Sequence, residues 1–164
     1  MERHFEHTVV QNVALGATAL WYFSSAYYAE RKQAEGPTLI ASMLVLPLVF
    51  HRRTATAIHA KNRSGGLLKA MREQPEIPAG LQRRLQATAS TSLQSLNVAI
   101  GVGLLEVDPD QPWPRFTPRR TTPPADLKPS SEDVKVVCHA AQRLGWWFAG
   151  EDFDTICNRL RVRF

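Results

Sequence analysis

Apolar positions recur along this chain with mostly helical spacing. From about Val10 to Arg31, the residues Val13, Ala17, Leu20, Trp21, Ser24 and Tyr28 return at three- and four-residue steps, which predicts a helix with one buried face. Gly36-Pro37 breaks that pattern and opens a second helix, because proline at a first turn gives up an N–H that has no partner there. Leu39–Phe50 is apolar nearly all round and is expected to form the centre of the core. Pro47 should kink or end its regular hydrogen bonding. Thr54 is the expected cap of a short continuation, Ala55–Ala60.

Lys61-Asn62-Arg63-Ser64-Gly65-Gly66 has the composition of a turn. A short helix, Leu67–Glu73, and a long one, Leu81–Gly101, follow it. On the long helix Leu85, Ala89, Leu93, Leu96 and Ile100 form the apolar stripe. The texture then changes. Leu104–Val107 and Trp113–Thr117 are short strand-like runs around Asp108-Pro109-Asp110-Gln111-Pro112, which predicts an edge hairpin. Pro118–Pro129 holds four prolines and reads as an extended linker. Ser130 is the expected cap of a helix reaching Phe148, with Glu132 and Asp133 suited to its first turn. Gly150 stops that helix, and a last one, Phe153–Leu160, starts at Asp152 or Asp154.

The expected fold is mainly α with a short β-hairpin: a winged-helix-like helical core plus C-terminal helices. Residues 1–117 would form the core with its hairpin, 118–129 the linker, and 130–164 a helical segment packed on the same core, all in one domain. At 164 residues the chain is long enough to bury a core without a disulfide or metal.

Charge alters this picture only a little. Lys and Arg number 20 against 15 Asp and Glu, a net +5 that favours an acidic partner. Cys138 and Cys157 sit on separate predicted helices without CxxC spacing, as in a reduced cytoplasmic protein. The apolar run Leu39–Phe50 spans 12 residues, short of the roughly 20 that cross a bilayer, so no membrane location is expected.

Catalytic machinery is not visible. His4 and His7 have only Glu2 and Glu6 beside them, and His51, His59 and His139 belong to no HExxH or Cys/His quartet, so no metal or other cofactor is expected. Asn62–Gly66 lacks the ending of a phosphate loop, and no GxSxG occurs. Glu151, Asp152 and Asp154 are explained by helix capping. A winged-helix DNA-binding protein or regulator is the alternative, with Arg115, Arg119 and Arg120 as phosphate contacts. Thr91–Gly101 carries no Lys or Arg, which argues against base reading by that helix. Trp146-Trp147-Phe148 spans about 200° of a helix, so at least one indole should lie near the surface or beneath another segment, the linker first among them. Either tryptophan would make a good interface anchor.

Several stretches occur in the order of a known family. They are Asn12–Tyr28 with Leu20-Trp21, Leu44-Val45-Leu46-Pro47-Leu48-Val49-Phe50-His51-Arg52, and Gly66-Leu67-Leu68 running to Glu73-Gln74-Pro75. Gly103-Leu104-Leu105, Leu144-Gly145-Trp146-Trp147-Phe148-Ala149 and Thr155-Ile156 through Arg161-Val162-Arg163 continue the series. Together they resemble the middle component of three-component ABC (ABC-3C) systems, including the small adaptor subunit of Lamassu-type anti-phage and anti-plasmid defence. The stretch Pro109–Pro129 is longer and richer in proline than that pattern. The resemblance implies a non-catalytic adaptor partnered by an SMC/Rad50-like ABC ATPase and an effector, a nuclease, with DNA reached through the complex. Groups at segment ends, Arg52, Arg53, Trp146, Arg161 and Phe164, are the expected protein contacts.

Overall fold

The computed structural model describes residues 12–164. Its first helix, α1 (Val13–Glu30), is capped by Asn12, whose side-chain oxygen accepts the Leu15 N–H at 2.9 Å. The expected start at Val10 lies outside the described residues. The single buried face gives way to burial nearly all round, since Ala19, Phe23, Ala26 and Tyr27 are enclosed as well as Ala17, Leu20 and Trp21. Two long helices cause this by packing along α1: α6 (Leu81–Gly101) and α7 (Glu132–Ala149). Both approaches are close. A β-carbon on Gly145 of α7 would overlap the Phe23 carbonyl oxygen, and one on Gly16 of α1 would overlap the Ser95 hydroxyl of α6.

The apolar run between Gly36 and His51 forms two short helices, α2 (Leu39–Met43) and α3 (Val45–Val49). Thr38 caps the first by accepting the Ala41 N–H at 3.2 Å. Pro47 explains the break. It has no N–H to offer Met43, four residues back, so the chain turns at Leu44, whose N–H reaches only to Ala41. Leu44, Val45, Leu46, Leu48 and Val49 are fully buried, as a central segment should be.

Helix α4 (Arg52–His59) corrects the expected cap. His51, in extended backbone, precedes the first turn and its Nδ1 lies 2.8 Å from the Thr54 hydroxyl. Thr54 is therefore inside the helix and buried. Helix α5 (Gly66–Glu73) follows, and Gly80 enters α6 with a left-handed backbone, φ 68°. The buried face of α6 also differs from expectation. Thr88, Ser92, Ser95 and Ala99 are enclosed beside Leu81, Leu85 and Leu96, while Leu93 points outward. At Ser95 a small residue is required by the close approach of α1 at Gly16.

Gly103, at φ 75°, ends α6 and admits β1 (Leu105–Val107), which pairs antiparallel with β2 (Phe116–Pro118). Pro118 faces Leu105 and so belongs to the hairpin rather than the linker. Trp113 stands in the turn, 73% exposed, and the second strand starts only at Phe116. The turn is held elsewhere: the Pro114 carbonyl accepts from the Leu39 N–H and the Phe116 N–H donates to Pro37, each at 3.0 Å. Gly36–Leu39 thus staples the hairpin to the core.

The proline-rich segment is anchored too. Trp21 donates its indole N–H to the Arg120 carbonyl at 3.2 Å, and Ala125–Leu127 makes a 3-10 turn. Ser131, not Ser130, caps α7 by accepting from the Val134 N–H. Asp152 caps α8 (Phe153–Leu160) by accepting the Thr155 N–H at 3.1 Å. Among the described residues no helix is long and apolar enough to cross a membrane.

Candidate protein-interaction surface

Helix α8 ends with Arg161 in the left-handed conformation, φ 55°. The Arg161 N–H reaches the Asn158 carbonyl and the Val162 N–H reaches Cys157, the pair of bonds that normally forms around a glycine. Val162 is buried below this turn, whereas Arg161, Arg163 and Phe164 are exposed. The start of α6 grips the tail. The Gln82 side chain donates to the Arg163 carbonyl at 3.1 Å and accepts the Arg163 N–H at 2.8 Å. Phe164, 62% exposed, keeps its ring 6.1 Å from that of Phe153. Arg83, the residue after Gln82, is exposed as well. As protein contacts the sequence pointed to Arg161 and Phe164, and not to Arg83, Arg163 or Phe153. An arginine at a helix-ending position suited to glycine was the available signal.

Arg52 and Arg53 lie exposed in the first turn of α4. Arg84 orders the backbone near α3, donating to the carbonyls of Pro47, Ile77 and Ala79 at 3.1, 3.2 and 3.0 Å. These segments belong to a cationic stretch: between Gly36 and Leu105 eight Lys and Arg face only Glu73 and Glu76.

The aromatic triplet divides as its helical spacing requires. Phe148 packs edge-on against Phe23, and the buried Trp147 donates to the Arg63 carbonyl at 3.2 Å. Trp146 is half-buried under the Arg63 guanidinium. The proline-rich segment is bonded by a different indole, that of Trp21.

Of the three hairpin arginines, Arg115 turns inward, donating to the Gly36 carbonyl at 2.8 Å and pairing with Glu35 at 3.4 Å. Arg119 and Arg120 are exposed. The outer face of α6 presents Leu93, Val98 and, just past its end, Val102 to solvent.

Groups with chemical potential are scattered. Cys138 and Cys157 are free thiols, and burial pushes Cys138 up to about 12. His59 and His139 stack with ring centroids 5.6 Å apart, and burial holds His139 below its ordinary value, aided by His59, Arg143 and Lys135. No cluster of three or more metal-ligating side chains occurs among the described residues; His4 and His7 lie outside them. A cavity of about 190 Å³ opens between Arg31 and Arg115 on one side and Glu151 and Asp152 on the other. Its charges are satisfied internally, with both arginines on Glu35 and Glu151 on Arg159.

What this arrangement offers is exposed arginine and phenylalanine on a firmly packed helical scaffold. The family model for the ABC-three component (ABC-3C) system Middle Component 3 matches residues 1–164. The chain belongs to this family. No curated protein and no solved structure matches it. As a middle component, the chain partners the other components of an ABC-3C system.

Proposed function

We propose that this middle component is a non-catalytic adaptor that joins an SMC/Rad50-like ABC ATPase to an effector nuclease in a Lamassu-type defence complex of the cytoplasm. Whole-length membership of the middle-component family is the observation that carries the reading. The exposed placement of Arg52, Arg53, Arg161 and Phe164, with Trp146 half-buried, supports it, since arginine and aromatic residues dominate interface hot spots. Co-purification with the products of the neighbouring genes is the test. A chain that elutes alone, with no association with an adjacent ATPase, would sink the proposal. Charge reversal at Arg52 and Arg53 should lower the recovery of partners, with circular dichroism as the control for folding.

Direct DNA contact is a second reading, favoured by the exposure of Arg119 and Arg120 beside the hairpin. It predicts salt-sensitive duplex binding that is lost when both are neutralised. Absence of binding at low salt removes it.

A further inference from the structure

We infer that the tail after α8, together with the start of α6, is a docking surface for an acidic segment of a partner protein that carries an aromatic or large apolar residue. The inference rests on the adaptor reading and names the chemistry of one of its contacts.

The backbone is the first ground. Position 161 closes a helix in a left-handed turn where glycine is unstrained, because any side chain there crowds the following carbonyl. The chain places arginine there and exposes it. That guanidinium makes no ion pair or hydrogen bond among the described residues, so the turn gains nothing from it. A contact outside the chain gives the arginine a role that offsets the strain.

Rigidity is the second ground. Gln82 holds both backbone groups of Arg163, and buried Val162 pins the tail from beneath. Arg161, Arg163 and Phe164 are therefore presented in fixed positions, which reduces the entropy a partner must remove on binding.

Charge and composition choose the occupant. Arg83, Arg161 and Arg163 are exposed cations with no ion pair among the described residues. Arg163 precedes Phe164, whose ring meets that of Phe153, so the tail carries cation and ring together, while the exposed Asp152 and Asp154 beside Phe153 turn an acidic segment toward the arginine side. Guanidinium forks match carboxylates in bidentate geometry. Arginine mixed with phenylalanine is the composition of a protein interface core. A phosphate backbone would leave both rings without a partner.

The test uses the full chain. Its assembly with the two other components of its system is measured first; a wild-type chain that does not assemble defeats the adaptor reading itself. Labelled peptides tiling the Asp/Glu-rich segments of those components are then titrated, together with their Asn/Gln counterparts and a short DNA duplex. The expected result is binding of an acidic, aromatic-containing peptide, weakened about tenfold or more by its Asn/Gln form. R83E and R163E should weaken it comparably. R161G separates docking from structure: it should raise the melting temperature, because the turn is relieved, yet weaken peptide binding. The inference is overturned by equal binding of the Asn/Gln peptide, by unchanged binding to R83E, R163E and R161G, or by binding of the duplex alone.

Discussion

The guanidinium of Arg63 lies over the indole of Trp146, 5.1 Å from the ring centroid, and its other side pairs with Glu30 of α1. The turn before α5 is thereby tied to α1 and α7. Removing the cation in R63A should cost about 0.5–1 kcal/mol, the scale of a partly exposed cation–π contact. It should also uncover Trp146. Acrylamide quenching of tryptophan fluorescence checks this, and unchanged quenching with unchanged stability would show that the contact contributes nothing.

Gly145 fixes how closely α7 approaches α1. Alanine would ordinarily favour a helix interior by about 1 kcal/mol. Here the added carbon meets the Phe23 carbonyl, Ala26 at 2.8 Å and the Tyr27 nitrogen at 3.0 Å, and backbone cannot move aside cheaply. G145A should therefore destabilise by about 1–2 kcal/mol net, since overpacking exceeds the propensity gain. Urea denaturation decides it; a neutral or stabilised variant would mean the helices have room to part.

How much of this was legible beforehand depends on residue type. Pro47 and Asp152 announced their roles because each acts through its own backbone or a local hydrogen bond, whereas Pro37, expected in a first helical turn, precedes the Thr38 cap and offers its carbonyl to the hairpin. Thr88, Ser92 and Ser95 did not. Small hydroxylated residues look like solvent-facing positions, and it takes packing from other helices, as Gly16 of α1 against Ser95, to make them core. For the same reason Leu93 was placed on the wrong face. The exposed surface was only partly readable. Arg161 and Phe164 stood out at a segment end, but the grip of Gln82 on Arg163 joins positions 81 residues apart and has no local signature.

The pairing of Trp21 with Arg120 predicts behaviour of the proline-rich segment. W21F keeps the ring but removes the donor, so residues 119–129 should become more susceptible to limited proteolysis. Cleavage at the wild-type rate would show that the prolines alone hold the segment in place.

His139 gives the chain a pH dependence with a definite sign. Burial, then His59, Arg143 and Lys135, hold it below its ordinary 6.5, while Glu132 opposes them weakly. Well above 6.5 the imidazole is neutral whether folded or not, and contributes no slope. As pH falls below that value the unfolded chain takes a proton that the folded chain resists, so stability declines. H139Q should flatten the decline between about pH 7 and about pH 5 in denaturation midpoints. An identical slope in both proteins would assign the effect to other groups.

The adaptor proposal is tested most directly by reconstitution with one component left out. The proposed ATPase and effector partners are co-expressed with and without this chain, and the complex is sized by light scattering. The account predicts that the effector travels with the ATPase only when the middle component is present. Equal association of ATPase and effector in its absence would contradict it.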